Sequence, residues 1–195
     1  LKALFVYLEE RGRDVSAQTS SLDSIPAGTR TLVIAAPQAQ PITKEEVAAL
    51  ERFVRGGGTL VYLSPHALGE HQPGMEDWLH IVSGALPGTN HQGLASEWVD
   101  PAGVTVDVWL PAGALRDLSL LRLRVEHEDA VPLAGLGSAG VLWRWDLGQG
   151  EVYVAAGPDL AENRRLELLD NLRLWDALAA RGPLRFDEFH HAVIT

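Results

Sequence analysis

Leu1, Leu4, Phe5 and Leu8 recur at i, i+3, i+4 and i+7, the spacing of one buried stripe on an α-helix, and Gly12 closes that helix. Residues 14–19 read as a short strand and residues 20–30 as a turn-rich connection. Residues 31–36 form an unbroken β-prone run, the pattern of a strand covered on both faces. Thr43-Lys44-Glu45-Glu46 has the spelling of a capping box, with Glu three residues after Thr. The helix it opens buries Val47, Leu50 and Val54 and ends at Gly56-Gly57-Gly58; residues 59–63 follow as a second covered strand. Strand, helix and strand in this order make a parallel crossover unit.

The pattern then changes. Residues 64 to about 100 are loop-rich, with one short helix predicted near 75–82. Four short runs, 104–110, 120–125, 130–136 and 141–147, predict antiparallel strands. Residues 95–147 are therefore expected to be a β-rich elaboration on an α/β core, within a single domain spanning 1–195. A strand at 151–156 leads through Gly157-Pro158-Asp159 into a long helix with Leu168, Leu172, Trp175 and Ala179 on one face. Arg181-Gly182-Pro183 stops it, and a last strand runs out at Asp187. Strands joined through a helix lie parallel and often side by side. Asp159 and the helix start near Asn163 are thus expected to approach Asp187, Glu188, His190 and His191 at the carboxyl rim, where open α/β sheets usually bind ligands.

Composition narrows the chemistry. A formal charge of −10 and scattered basic residues oppose nonspecific binding to nucleic acid. The absence of cysteine removes thiol nucleophiles, disulfides and thiolate zinc sites. No apolar run reaches the length of a membrane-spanning helix. Leu1 stands directly in an amphipathic helix and Ala192-Val193-Ile194 turns apolar, so the chain is expected to be a segment of a longer one.

The densest chemistry is Phe186-Asp187-Glu188-Phe189-His190-His191. Carboxylates and imidazoles together suit a divalent metal or general acid–base work; the plainer reading is that they pin a loop or a domain boundary. Strand alternation would pair Glu188 with His190 on one face and Asp187 with Phe189 on the other. Asp159 reads as an N-cap, with an anion site at the helix start as the alternative. Asn171 either braces the 187–191 loop or faces solvent. Ser64 has no Gly-x-Ser-x-Gly elbow around it and precedes Pro65, so it reads as an ordinary loop serine. The Asp-Glu-x-His lettering lacks a phosphate-binding loop to accompany it. His66, His71, His80 and His91 match no zinc spacing. Trp143, Trp145 and Trp109 read as sheet cover, or less simply as a stacking surface for a sugar or a partner.

Several segments together carry a resemblance: Gly148-Gln149-Gly150-Glu151-Val152-Tyr153-Val154, Pro158-Asp159, Asn163-Arg164-Arg165-Leu166, Asp170-Asn171 and the 186–191 cluster, with Lys2-Ala3-Leu4, Leu32-Val33-Ile34-Ala35-Ala36-Pro37 and the 56–60 turn. In these the chain resembles the bacterial domain-of-unknown-function family 4350. The resemblance implies a three-layer α/β sandwich of flavodoxin or class I glutamine amidotransferase type, with a mixed, mainly parallel sheet. It also implies a domain tethered by flanking membrane helices in a bacterial envelope protein, the extracytoplasmic side being favoured. Related domains in gliding-motility and intraflagellar-transport components look like noncatalytic binding modules. Gly157 stands where the family often has an acidic residue, and Ala192 where it usually has Gly. The expectation is a noncatalytic domain that binds a small ligand or other membrane or envelope proteins, with no cofactor. Its candidate site residues are Asp159, Asn163, Asn171, Asp187, Glu188, His190 and His191. The alternative is a metal-assisted hydrolase using Asp187 or Glu188 with His190, His191 and Asp159.

Overall fold

The computed structural model describes residues 1–37, 39–65, 71–83, 94–99, 105–110, 123–136, 139–161, 163, 166 and 171–191. The elements are α1 (Lys2–Glu10), β1 (Val15–Gln18), β2 (Thr31–Ala35), α2 (Lys44–Arg55), β3 (Thr59–Leu63), α3 (Pro73–Trp78) and β4 (Ile81–Ser83). They continue with β5 (Leu94–Val99), β6 (Thr105–Leu110), β7 (Leu123–Val125), β8 (Val131–Leu136), β9 (Ala139–Leu147), β10 (Gly150–Ala155), α4 (Asn171–Ala179) and β11 (Leu184–Asp187). Two 3-10 turns, Pro158–Ala161 and Phe189–His191, follow β10 and β11.

Seven strands form one sheet in the order β1-β11-β2-β3-β10-β9-β8. The first five run parallel, and β9 and β8 continue the sheet antiparallel. The fold is thus mixed α/β with a mostly parallel sheet. Every residue of β2 and β3 is buried, as the unbroken apolar runs require. Side chains alternate across the sheet. Phe186 turns to the α1/α4 side, its ring 5.9 Å from Phe5 and 6.4 Å from Trp175. The next residue, Asp187, therefore faces the opposite layer, where α2 and α3 lie.

Four expectations change. The strands β8 and β9 are an integral edge of the main sheet, whereas β4–β7 and β5–β6 are separate two-stranded pairs. The short helix starts and stops earlier than 75–82: Pro73 suits its first turn, and His80, at φ 52, turns the chain into β4. The parallel strands β10 and β11 are not neighbours, because β2 and β3 lie between them. At about 4.8 Å per strand this sets them roughly 14 Å apart. Nor does a helix follow β10 directly: a 3-10 turn comes first, Asn163 and Leu166 lie in turns, and the described part of α4 is Asn171–Ala179. Leu174, Trp175 and Leu178 form its buried face, while Leu168 lies outside the described residues.

The Gly148-Gln149-Gly150 turn has a packing reason. Gln149 N–H donates to Arg55 O at 3.1 Å, and Glu151 N–H to Gly58 O at 3.2 Å, so the β9–β10 hairpin satisfies carbonyls at and beyond the end of α2. A Cβ on Gly150 would lie 2.1 Å from Gly58 O and 2.2 Å from Val54 O, and both are backbone atoms. Gly150→Ala is expected to destabilise the fold by about 1–3 kcal/mol or more, read as a lower midpoint in urea unfolding with unchanged slope.

Candidate functional site

The strand β11 ends at Asp187, which is paired in register with Gln18 of β1. Glu188 N–H donates to Gln18 O at 2.9 Å, and the chain then tightens into the 3-10 turn. Three residues per turn bring His190 back over Asp187. Strand alternation is broken there, so His190 pairs with Asp187 and not with Glu188, contrary to the extended-strand expectation. The imidazole Nδ1 lies 2.9 and 3.1 Å from the two Asp187 carboxylate oxygens. On its other side Nε2 faces Glu46 Oε2 at 3.4 Å, a long contact. Asp187 and His190 are fully buried and Glu46 is 2% exposed.

Glu46 is the residue that sequence reasoning missed as part of this cluster. The capping box is present as read: Thr43 Oγ accepts from Glu46 N–H at 3.3 Å, and Glu46 Oε2 accepts from Thr43 N–H at 2.8 Å. The same carboxylate also accepts from Thr43 Oγ–H at 2.9 Å, and its Oε1 from Ser21 Oγ–H at 2.7 Å and Leu22 N–H at 3.0 Å. One side chain thus ties the start of α2, the 20–22 loop and the end of β11. The chain signals only the local, three-residue part of that arrangement.

Ionisation follows from these partners. Burial opposes the Glu46 charge, but the hydrogen bonds from Thr43, Ser21 and Leu22 outweigh it and hold the carboxyl down at about 2. Burial likewise disfavours a charged His190, yet the hydrogen bond and field of Asp187, with Glu46 adding to both, raise its pKa above the ordinary 6.5. His190 is therefore easier to protonate than an ordinary histidine, and in the charged form it donates from both nitrogens.

The other candidates are placed differently. His191 is half-buried; burial lowers its pKa, and its Nε2 has no hydrogen-bond partner among the described residues. Glu188 is half-buried and bonds here through its backbone. Asn163 is not at a helix start: it is exposed, and its Oδ1 accepts from Ala3 N–H at 3.3 Å at the beginning of α1. Asp159 lies in the 3-10 turn after β10, and Asn171 is the first residue of α4; both side chains lie outside the described set. The expected approach of Asp159 to Asp187 loses its basis, since it assumed adjacent strands. Ser64 is buried, with its N–H on Ala155 O at 2.9 Å. His71 pairs with Glu76 at 3.2 Å, while His66 and His91 lie outside the described residues. Trp143 and Trp145 are buried as sheet cover, and the Trp109 side chain is outside the description.

At the amino end of the sheet a second, half-buried cluster serves packing. Glu151 accepts from Arg144 Nη2 at 3.0 Å, from Tyr153 Oη at 3.1 Å and from Arg181 Nη1. Arg181 also reaches Thr59 Oγ1 at 3.4 Å.

Among the described residues no three His, Asp or Glu side chains are arranged to hold a metal ion. The reason at β11 is chemical: both His190 nitrogens are occupied by carboxylates, so the ring presents no outward lone pair. Comparison with known proteins agrees with a fold-level identity. The family model described as "Domain of unknown function (DUF4350)" matches residues 1–179. The chain belongs to the DUF4350 family. The match includes Glu46 but ends before Asp187 and His190.

No curated protein matches the DUF4350 chain significantly in sequence. Among solved structures it is similar to a cytoplasmic protein, STM1381, from Salmonella typhimurium LT2, with TM-score 0.52, 12% identity, and coverage of 91% of this chain and 85% of that one. Similarity to an mmIFT52 N-terminal domain has TM-score 0.47, 16% identity and 76% coverage of each chain. Similarity to a β-galactosidase from Bacillus circulans sp. alkalophilus has TM-score 0.44 and 21% identity over 78% of this chain. The DUF4350 chain spans only 22% of that enzyme's length.

The cluster has a definite pH signature. Glu46 has a folded pKa below its ordinary 4.5, so its contribution is full above that pH and is lost as pH falls toward about 2. His190 has a folded pKa above 6.5, so its contribution is full below that pH and is lost as pH rises through the raised value. His190→Ala is expected to cost about 3–5 kcal/mol near neutrality, because two buried carboxylates lose their counter-charge. In denaturant melts across pH, the gap between wild type and variant should be full below pH 6.5 and narrow as pH rises above it.

Proposed function

We propose that this DUF4350 domain is a noncatalytic module that binds a ligand or a partner, built on a sandwich of flavodoxin or class I glutamine amidotransferase type. The observation that carries this reading is the sealed state of Asp187, His190 and Glu46. Acid–base catalysis needs a group within hydrogen-bond reach of the substrate. The three groups that sequence and geometry favour most are buried and satisfy one another, which suits a fixed frame for the rim loops. The missing cysteine, nucleophile elbow and phosphate loop support the same reading. The parallel sheet with helices on both faces supports the sandwich type.

The module belongs, in this proposal, to a membrane-anchored envelope protein and faces the extracytoplasmic side. That part rests on the family resemblance. No helix among the described residues is long and apolar enough to cross a membrane, so the anchor belongs to other segments.

A panel of zinc, manganese and magnesium ions tests the choice between module and metal-assisted hydrolase. A metal held at about 100 times its dissociation constant would add roughly 2.7 kcal/mol of stability. Wild type is expected to show no metal-dependent thermal shift that disappears in Glu188→Gln/His191→Gln, and no metal-dependent hydrolysis of nitrophenyl ester or phosphoester probes. A shift lost in that variant, together with hydrolysis, would replace this reading with the hydrolase.

A further inference from the structure

The connection from β1 to β2 is tied down at both ends and stands away from α2 in its middle. At its start, Ser21 Oγ–H and Leu22 N–H donate to Glu46 Oε1 at 2.7 and 3.0 Å. At its end, Thr29 N–H and Oγ–H close a turn onto Pro26 O at 3.2 and 2.7 Å. Arg185 of β11 clamps that turn, its Nε donating to Thr29 Oγ1 at 2.9 Å and its Nη1 to Ser16 Oγ of β1 at 2.8 Å. Residues 23–28 form an arch beside α2, and a surface cavity of about 340 Å³ lies between the two.

The cavity has an apolar lining with one charge of each sign. Ile25, Pro26, Ala49 and Phe53 form its walls, and Asp23 and Arg52 stand among them. The Phe53 ring lies against Gly58, where a Cβ would fall 2.3 Å from ring Cζ, so this aromatic wall is preset. Ile25, Pro26 and Phe53 are only half-buried, which leaves apolar surface within reach of a ligand. The arch is open at Gly28, where a Cβ would meet no atom within 4 Å. Arg55, in the same last turn of α2 as Arg52, spends its charge on Glu51 at 2.8 Å. Arg52 and Asp23 are exposed, and neither side chain has an ion-pair partner among the described residues. Two opposite charges thus line one cavity without pairing with each other.

We infer that this cavity binds a zwitterionic amino acid with an apolar side chain, its carboxylate on Arg52, its ammonium on Asp23 and its side chain against Phe53, Ile25 and Pro26. Small-molecule sites combine apolar walls with a few placed polar groups, and a volume of about 300 Å³ or more is enough for one. The planar guanidinium fork matches a carboxylate. A ligand lacking either charge leaves Asp23 or Arg52 without its partner, which sets the preference for a zwitterion. The anchors at Glu46 and Arg185 place the walls before the ligand arrives and so reduce the ordering cost of binding. This deepens the binding reading above and rests on it.

The test is a proton–nitrogen NMR titration of the protein with L-phenylalanine and L-leucine, and with phenylpropionate and phenethylamine, each of which lacks one of the two charges. Saturable shifts of the Ala27, Gly28 and Thr29 amide resonances are expected with both amino acids. Arg52→Gln and Asp23→Asn should each weaken binding by about fivefold, as should removal of the matching charge from phenylalanine. Both residues are exposed, so the two variants should melt at the wild-type temperature. Unshifted amides with both amino acids overturn the assignment, as do variants that bind like wild type. Phenylpropionate or phenethylamine binding as tightly as phenylalanine overturns it too, by showing that one of the charges is idle. Each of these failures leaves the noncatalytic reading standing, because that reading falls with metal-dependent hydrolysis.

Discussion

A polar side chain taken out of water must recover its hydration from partners inside the protein, and His190 recovers it from two carboxylates on different elements. That requirement sets the position of much around it. Glu46 is a useful partner only because four further donors and the amino end of α2 already stabilise its charge. Asp187 is available because β11 stops at that residue and the 3-10 turn folds His190 over it. The loop after β2 joins the arrangement through Ala39 N–H, which donates to His190 O at 3.0 Å. Four separate stretches of chain are thereby referred to one ring.

The two ends of the sheet solve related problems in different ways. At the amino end, Arg144 and Arg181 share Glu151, tying β9, β10 and the turn before β11 together with a cation on each side of one anion. At the carboxyl end the order is inverted, with one imidazole between two carboxylates. Between them lies the apolar core, with Phe186 and the α4 residues Trp175 and Leu178 on one face of the sheet and Leu60, Tyr62 and Trp145 on the other. The ionic cluster fixes the β1–β11–β2 half of the rim.

Much of the framework was legible because its signals are local. The 1–8 stripe, the two covered strands and the capping box each depend on spacing within a few residues, and each appears in place. The Asp187–His190 partnership was half legible: the residue types were right, but strand alternation paired Glu188 with His190 because nothing in Phe189-His190-His191 announces a 3-10 turn. Glu46 was read as a cap, since its second role depends on meeting a residue 144 positions away. Strand order is a tertiary outcome. The helical crossover between β10 and β11 passes over β2 and β3, and no periodicity within α4 records how many strands it spans. Asn163 went astray for the same reason, as its partner Ala3 lies 160 residues distant.

The protonation state of His190 tests this account most directly, by long-range proton–nitrogen correlation spectroscopy of the histidine rings across pH. The account predicts that at neutral pH both ring nitrogens of His190 carry protons, that these exchange slowly with solvent, and that the ring loses its charge above pH 6.5. A His190 ring that is neutral at pH 7 with a free nitrogen lone pair would contradict it. The ionic lock would then be absent, and the β11 rim would regain an imidazole able to act as a base or bind a metal.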